Sequence, residues 1–367
     1  MTIFALTMIL NSLTILNYKN ITEAGLDFSG KVNCFLGNNG MGKTNLLDAI
    51  YYLSNCKSAL SATDAATVRF GENMMLLQGV YTRMEKKETI ACAIQDGRKK
   101  VKRNGKEYKR LSEHVGLLPL VLVSPYDWNM IVGGSEERRR LIDRIISQGN
   151  KQYLEALIRY NKALEQRNSM LKQGYSDPLL FESINTMLAE AAQSIHAGRA
   201  EWIEAFTPVF MRFYNEIGDG GEVVRLDYRS ELNKTDMQSV LAENFAKDKV
   251  LGFTSQGVHR DDIELMLGES PMRKIGSQGQ CKTYTIALRL AQFDFLKSIT
   301  KLTPILLLDD IFDKLDSNRV ANIMRIVSSP TFGQIFISDT NREHIDETIA
   351  AIGADYRIFT VESGNIR

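Results

Sequence analysis

Residues 37–44 read Gly37-Asn38-Asn39-Gly40-Met41-Gly42-Lys43-Thr44 and match the pattern GxxxxGK[ST]. An apolar stretch at residues 32–36 precedes them, and a helical pattern covers residues 43–53. A strand, a glycine-rich turn and a helix in this order form a phosphate-binding loop, because the turn's backbone N–H groups and the helix N-terminus face the anion. The stretch therefore predicts an α/β fold with a nucleotide site.

The last two residues of this loop carry side chains suited to phosphate chemistry. Lys43 is expected to reach the β- and γ-phosphates and is a predicted catalytic residue. The hydroxyl of Thr44 is a predicted Mg²⁺ ligand. All eight residues of the loop are predicted to contact the nucleotide.

A second motif, which is acidic, lies near the C-terminus, where four apolar residues at 305–308 are followed by Asp309 and Asp310. Such a run is typical of a strand buried on both faces. Open α/β sheets bind ligands at the carboxyl ends of their strands, which is where these acids are expected. Asp309 is the predicted Mg²⁺ ligand, and Asp310 is the predicted catalytic residue that orients the attacking water.

A third motif opens the helical segment before that strand and reads Gly276-Ser277-Gln278-Gly279-Gln280. Small and polar residues at a helix start can bind an anion. Many loops share this composition, so the motif gains weight only from its position between the other two. Ser277, Gly279 and Gln280 are predicted nucleotide contacts.

The texture of the chain changes twice. Strand-like runs fill the first 120 residues, with hairpin signals at Asp96-Gly97 and Asn104-Gly105. Residues 135–214 have helical periodicity, broken at residues 174–178, and α/β texture returns after residue 251. We expect one α/β domain made from residues 1–122 and 250–367, with a mainly helical lobe at residues 123–249.

Composition excludes several classes of protein. The chain has 367 residues and a net charge of +1, so any attraction to nucleic acid must come from a local patch. Its four cysteines are scattered without a CxxC pair, which argues against a zinc module or a secreted disulfide scaffold. We found neither a signal peptide pattern nor a long apolar run, and we expect a cytoplasmic protein without a membrane partner.

One local patch is strongly basic. Residues 83–110 contain eleven lysines and arginines against four acids. The predicted DNA-binding residues are Arg98, Lys99, Lys100, Lys102 and Arg103. A solvated charged hairpin is the alternative interpretation. Because no aromatic residues alternate with these bases, the patch favours contact with the backbone of a duplex over stacking on single-stranded bases.

The order of these motifs resembles that of ABC-type ATPases, a P-loop class whose head carries a helical insertion. Within that class the chain is similar to the RecF family over nearly its whole length. Besides the three motifs above, the resemblance rests on Ser124-Pro125, Arg138-Arg139-Arg140-Leu141-Ile142-Asp143, residues 160–168 (YNKALEQRN), His259-Arg260-Asp261-Asp262 and residues 309–316 (DDIFDKLD).

The resemblance implies ATP and Mg²⁺ as cofactors and an ATP-dependent homodimer. Ser277, Gly279 and Gln280 of one protomer would close on the γ-phosphate held by Lys43 of the other, with Asp316 at the dimer seam. Two features depart from the wider class. Residues 338–341 (SDTN) stand where many members carry a switch histidine, with His344 expected on a helix surface, and we assign no Q-loop glutamine. For residues 259–262 a structural ion-pair turn and a functional role both stay open.

The resemblance implies a weak, DNA-stimulated ATPase that would act in DNA repair, replication, recombination and the SOS response. It would bind duplex DNA, gaps or duplex–single-strand junctions and help RecO and RecR load RecA. The alternatives are the nucleotide-binding subunit of a membrane transporter and an SMC-like structural ATPase. The third motif, residues 276–280, occupies the place of the ABC signature motif but lacks the transporter-like LSGGQ sequence. The helical region is too short for a long coiled coil.

Overall fold

A computed structural model describes residues 6–175, 177–218, 220–312, 315–353 and 355–367, and leaves out the side chains of residues 344, 347, 348, 351 and 352. Ser176 and Asp219 of the expected chain breaks, Asp313 and Lys314 of the acidic motif, and the His344 side chain lie outside this description.

The chain divides into two compact units. The first contains Met1–Asp127, Glu216–Gly218 and Ile286–Arg367, and the second contains Trp128–Asn215 and Asp219–Thr285. The first unit is α/β and the second is mainly helical, so the protein has the fold of an ABC-type ATPase head with a helical insertion. The lobe boundaries expected at residues 122/123 and 249/250 stay a prediction.

The strands are β1 Met8–Tyr18, β2 Ile21–Asp27, β3 Val32–Leu36, β4 Met74–Arg83, β5 Lys86–Gln95, β6 Arg98–Arg103, β7 Lys106–Glu107, β8 Leu120–Val123, β9 Val224–Arg229, β10 Asp262–Leu267, β11 Ser270–Pro271, β12 Ile305–Asp309, β13 Ile335–Asp339, β14 Tyr356–Glu362 and β15 Asn365–Ile366. The helices are α1 Lys43–Asn55, α2 Asn129–Val132, α3 Ser135–Gly149, α4 Lys151–Lys172, α5 Pro178–Ile217, α6 Met237–Glu243, α7 Phe245–Leu251, α8 Met272–Ile275, α9 Gln278–Thr300, α10 Ser317–Val327 and α11 Arg342–Ile352.

A mainly parallel sheet forms the centre of the first unit, in the strand order β15-β14-β3-β13-β12-β8. Only β15 runs antiparallel to its neighbour. All five residues of β12 and of β13 are buried, as their apolar sequences predict. Because β3, β13 and β12 are neighbours, the phosphate-binding loop and the acidic motif come together at the carboxyl edge of this sheet.

A second sheet of the first unit is antiparallel, in the order β2-β1-β4-β5-β6-β7. Both hairpin signals are confirmed, because Asp96, Gly97, Asn104 and Gly105 all have positive φ angles, as type I′ turns require. The buried face of this sheet packs on α1 within one apolar core. Its other face includes the outward side chains of the basic strand β6.

The helical unit buries a different face of α4 from the one that its leucines suggest. Leu154, Leu157 and Leu164 recur at helical spacing but are only half-buried. The fully buried positions are Tyr153, Ala156, Tyr160, Ala163, Arg167 and Leu171. These positions also repeat every three or four residues, so the helix is confirmed while its apolar stripe is rotated.

Arg167 is the largest polar side chain on that buried face and is fully buried. Its Nη1 donates to the Asp248 carboxylate at 2.7 Å and to the Thr254 hydroxyl at 2.7 Å, and its Nε donates to Asn185 at 2.9 Å. Asp248, also fully buried, accepts in addition from the backbone N–H of Ser255 at 2.9 Å. The pair ties α4, α5 and α7 together. No helix in the described part of the chain is both long and apolar enough to cross a membrane.

Arg167→Met is expected to lower the free energy of unfolding by about 3–5 kcal/mol, because it leaves the buried Asp248 carboxylate without its ion-pair partner. The matched control is Arg140→Met, which removes an exposed pair with Glu136 and is expected to cost less than about 1 kcal/mol. Chemical denaturation of both variants measures the difference. Equal losses in the two variants would contradict the structural role assigned to Arg167.

Candidate nucleotide site

The phosphate-binding loop connects β3 to α1 and leaves the start of α1 without a side-chain cap. Gly42 precedes the helix with a φ of 114°, a conformation that favours glycine. A Cβ on Gly37 would lie 2.3 Å from the carbonyl oxygen of Val361, so β14 also requires a glycine at the start of the loop. The uncapped N–H groups of the first turn can therefore face an anion.

Two asparagines support the loop from behind. The Asn20 amide donates to the Met41 carbonyl at 3.3 Å and accepts from the Asn45 amide at 2.8 Å. A Cβ on Gly42 would lie only 2.8 Å from the Asn20 amide nitrogen, so Asn20 also favours a glycine there. It precedes β2, on a hairpin far from the motif in sequence, and no pattern in the chain indicated this contact.

Lys43 is buried, and its Nζ donates to the carbonyls of Gly37 at 2.6 Å and Asn38 at 3.0 Å. Burial lowers the pKa of Lys43, while the nearby carboxylates of Asp310 and Asp309 oppose that shift. The ammonium group thus lies inside the loop and near the acidic motif. Asn38, Asn39 and Gly40 are exposed at the tip of the loop.

The Asp309 carboxylate is the point where three elements meet. Its Oδ1 accepts from the Thr44 hydroxyl at 3.0 Å and from the Ser338 hydroxyl at 2.6 Å. Burial raises the pKa of Asp309, and these two hydroxyls oppose the rise. Thr44 lies in the first turn of α1, Asp309 ends β12 and Ser338 lies on β13. The sequence predicts the first two residues at the site, whereas Ser338 belongs to a stretch that departs from the pattern of the wider class.

The pair formed by Thr44 and Asp309 fits a magnesium ion. A hydroxyl and a carboxylate are oxygen ligands of the kind that Mg²⁺ takes, and their oxygens are 3.0 Å apart. Two neighbouring ligands of a Mg²⁺ octahedron with bonds of roughly 2.0–2.1 Å are about 2.9 Å apart. The residues present therefore match the cofactor that the motifs imply.

Asp310 and Asp339 flank this centre. Asp310 has a φ of 47°, and its N–H donates to both the carbonyl and the hydroxyl of Ser338, each at 3.2 Å. Ser338 therefore fixes Asp310 as well as Asp309. Asp339 is buried, its carbonyl accepts from the N–H of Gly37 at 3.4 Å, and its carboxylate accepts from the N–H of Asn341 at 2.8 Å. Thr340, by contrast, is exposed.

The signature motif belongs to the second unit and begins α9 with a reciprocal cap. The Ser277 hydroxyl accepts from the N–H of Gln280 at 3.2 Å, and the Gln280 side-chain oxygen accepts from the N–H of Ser277 at 2.8 Å. The amide nitrogen of Gln280 donates to the Glu222 carboxylate. Gly279 lies between them and is half-buried. Sequence reasoning missed Glu222, which precedes β9 and belongs to no motif.

Asp316 caps α10 by accepting from the N–H of Arg319 at 3.0 Å, and this hydrogen bond lowers the pKa of Asp316. The side chain is exposed, as a residue at a dimer seam must be. Its role at such a seam stays a prediction.

The five predicted DNA-binding residues of β6 do not share one face. Lys99 pairs with Asp64 at 2.8 Å and donates to the carbonyl of Cys56, and Arg103 pairs with Glu88 at 2.6 Å. Arg98, Lys100 and Lys102 are exposed and alternate with them. The strand's two-residue period thus divides the set into two structural cations and three outward ones.

The turn at residues 259–262 is held by ion pairs and hydrogen bonds. Asp262 accepts from Arg138 at 2.7 Å, and Asp261 accepts from Arg199 and from the Tyr228 hydroxyl at 2.7 and 2.6 Å. Burial lowers the pKa of His259 to about 4, so the ring is neutral at pH 7 and bonds the Tyr160 hydroxyl at 2.7 Å. The contacts of His259, Asp261 and Asp262 favour the structural interpretation, and Arg260 is the exposed member.

Comparisons with known proteins match this architecture. A family model described as the RecF/RecN/SMC N-terminal domain matches residues 9–366. A DNA replication and repair protein RecF from Parabacteroides distasonis is 51% identical over 361 residues, covering 98% of this chain and 99% of the relative. The protein of the same name from Porphyromonas gingivalis (ATCC 33277) is 50% identical over 363 residues, covering 98% of this chain and 100% of the relative.

Solved structures agree with the sequence matches. The structure described as the recombination mediator protein RecF with ATP, in the RecFOR pathway, superposes with a TM-score of 0.87 at 28% identity and covers 98% of this chain and 97% of that chain. An Smc head domain from Pyrococcus furiosus has a TM-score of 0.58 at 18% identity, covers 98% of this chain and 95% of that chain, and shares the fold alone. A family model that matches nearly the whole chain, together with RecF relatives about 50% identical to it, shows that the chain belongs to the RecF family.

Proposed function

We propose that the protein is an ATP-dependent DNA-binding protein of DNA repair, replication and recombination. The observation that carries this proposal is the contact of Thr44 with Asp309, which joins the phosphate-binding loop to the acidic strand. Relatives at about 50% identity that are named DNA replication and repair protein RecF support it.

ATP would lie along residues 37–44, with its phosphates at the start of α1. Lys43 would leave the carbonyls of Gly37 and Asn38 and donate to the β- and γ-phosphates. Thr44 and Asp309 would hold Mg²⁺, which when bound neutralises charge on those phosphates. Asp310, fixed through its N–H by Ser338, would orient the attacking water. Hydrolysis is expected to be slow and stimulated by DNA.

An ATP-dependent homodimer is part of the proposal. Ser277, Gly279 and Gln280 of one protomer would close on the γ-phosphate bound by its partner, with Asp316 at the seam. The capping bonds of Ser277 support this assignment, because its hydroxyl accepts from Gln280 and retains a proton to donate. ATP binding would then favour the dimer, and hydrolysis would release it.

The partners proposed for this protein are duplex or gapped DNA, RecO and RecR, with RecA loaded indirectly during the SOS response. A solved relative described as belonging to the RecFOR pathway supports this placement. A cytoplasmic location follows from the same placement. The transporter and SMC-like alternatives receive no comparable support, because the Smc head shares the fold at only 18% identity.

The DNA surface is proposed to be the outward face of β6 and its neighbours. Lys100 and Lys102 lie opposite Ala93 and Ala91 of β5, and Arg98 lies opposite Gln95. The two alanines are half-buried, so small side chains separate the row of cations from the rest of the sheet. A strand face with a row of three cations can contact one phosphate backbone without reading its sequence.

Lys43→Ala is expected to abolish ATP-dependent dimerisation, because the γ-phosphate loses the cation that holds it. Light scattering of the wild type and the variant without nucleotide, with ADP and with ATP, each with and without gapped duplex, tests this. A dimer that forms only with ATP, binds the duplex and disappears in Lys43→Ala is the expected result. A wild type that stays monomeric with ATP and ignores DNA would contradict the proposed function.

Ser338→Ala is expected to lower the ATPase rate about ten- to a hundredfold, since it removes a hydrogen bond to a charged group that is worth roughly 1.5–3 kcal/mol. The same change frees the N–H of Asp310 from one of its two acceptors. Thr360→Ala is the control, because it removes an exposed hydroxyl on β14 of the same sheet. Steady-state phosphate release with Mg²⁺ and ATP measures both, and equal rates would rule out a role for Ser338.

Replacing Arg98, Lys100 and Lys102 together by alanine is expected to weaken duplex binding and to reduce the slope of log affinity against log salt by about 2.7. The charge-matched control replaces Lys151, Arg159 and Lys162, which are exposed on α4 of the other unit. Fluorescence anisotropy with a labelled duplex over a salt series reports both quantities. A slope that changes equally in the two variants would show that net charge matters and this face does not.

A further inference from the structure

We propose that Glu222 is a gate on the signature motif, a positioning residue that holds Gln280 away from the nucleotide until the dimer closes. The inference rests on the proposed function, because it concerns the moment when Gln280 meets a γ-phosphate. Glu222 lies in the loop between α5 and β9, in the same compact unit as Ser277, Gly279 and Gln280.

The amide group of Gln280 has both of its ends engaged in this structure. Its oxygen accepts from the N–H of Ser277 at 2.8 Å, and its nitrogen donates to Oε1 of Glu222 at 2.5 Å. An amide nitrogen that donates to a carboxylate makes a charge-assisted hydrogen bond, which is stronger than one between neutral groups. The nitrogen keeps a second N–H, so the bond with Glu222 must break only when the amide group swings away from Glu222 toward a phosphate.

Glu222 is itself held in place by a buried side chain of the same unit. Its second oxygen accepts a hydrogen bond from the Tyr214 hydroxyl. Tyr214 is buried on α5, and its ring packs against the rings of Phe210 and Tyr284. The Tyr284 hydroxyl donates to the carbonyl of Arg225 at 2.9 Å, which fixes the start of β9 on the far side of Glu222. Tyr214 therefore anchors the carboxylate, and Tyr284 anchors the strand that follows Glu222.

The negative charge of Glu222 opposes closure on the γ-phosphate, as its hydrogen bond to Gln280 does. A carboxylate near the N-terminus of α9 is stabilised by the helix dipole and by Gln280. A γ-phosphate that approaches Ser277 and Gly279 would be attracted by the same groups and repelled by Glu222. Glu222 therefore opposes closure twice, by engaging Gln280 and by like-charge repulsion.

Removing the carboxylate should strengthen the ATP-dependent dimer. Two like charges about 4 Å apart in water repel by an energy that corresponds to roughly fivefold in affinity. Glu222→Ala is thus expected to lower the dimer dissociation constant in ATP about fivefold. Glu222→Gln, which keeps an oxygen able to accept from Gln280, is expected to give a smaller gain. Tyr214→Phe removes only the anchoring hydroxyl and should shift the dimer in the same direction.

The test is light scattering over a range of protein concentrations in saturating ATP and Mg²⁺, with thermal unfolding of each variant to confirm folding. The matched control is Glu231→Ala, which removes an exposed acid of the same unit and is expected to leave the dimer unchanged. The double variant Glu222→Ala with Gln280→Ala, compared with Gln280→Ala alone, separates gating from simple charge removal. It should lose the part of the gain that depends on Gln280.

Each outcome decides between two statements. A wild type that dimerises with ATP, and a Glu222→Ala variant that dimerises equally or more weakly, would overturn the gate and leave the proposed function intact. Wild type and variant that both bind ATP and both stay monomeric would overturn the dimer and the gate together. A Glu222→Ala variant that dimerises more readily than wild type, with Glu231→Ala unchanged, supports the gate.

Discussion

A buried carboxylate sets the geometry of the nucleotide site. Asp309 is almost fully buried, and an ionised carboxylate in that position is unfavourable unless hydrogen bonds compensate. Those bonds come from Thr44 and Ser338. Thr44 comes after β3 and its loop, Ser338 is on β13, and β3 and β13 are neighbours in the same sheet. The loop, the acidic strand and the strand between them must therefore hold one register. Since residues 44 and 309 lie far apart in the chain, the site exists only when the N-terminal and C-terminal halves fold together.

The second unit follows the same rule with arginines. Arg167 and Arg199 are buried and each binds carboxylates: Asp248 in one case, Asp143 and Asp261 in the other. These pairs link α3, α4, α5 and α7 with the turn before β10. Arg167 and Asp261 belong to motifs on which the family resemblance rests, and their buried ion pairs give both residues a structural role. Even a conservative replacement of these residues is expected to lower the stability of the fold more than it lowers the ATPase rate.

The sequence predicted much of this architecture because its patterns are local. The apolar run before Asp309 and the glycines of residues 37–44 each specify their own conformation, and both were found where expected. The turn at Met84-Glu85, with φ angles of 50° and 62°, was missed because neither residue is typical of positive φ. The contacts of Asn20, Ser338 and Glu222 were missed for another reason. They join residues distant in sequence, and a single polar residue carries no periodic signal.

In both the basic strand and the signature motif, some donors that the sequence offers to a ligand are already bonded to other residues of the chain. The sequence places five cations on β6, but alternate side chains point to opposite faces of the sheet. Lys99 and Arg103 pair with acids of the same chain, and the other three cations are exposed. In the signature, Gln280 is likewise a donor that the chain already uses, and so is Lys43 in the loop. Binding a phosphate at either place exchanges one charge-assisted hydrogen bond for another of the same kind, each worth roughly 1.5–3 kcal/mol, so the net change is small. Small exchanges of this kind keep a nucleotide switch reversible, because neither the open nor the closed arrangement is strongly favoured without the charge of the nucleotide itself.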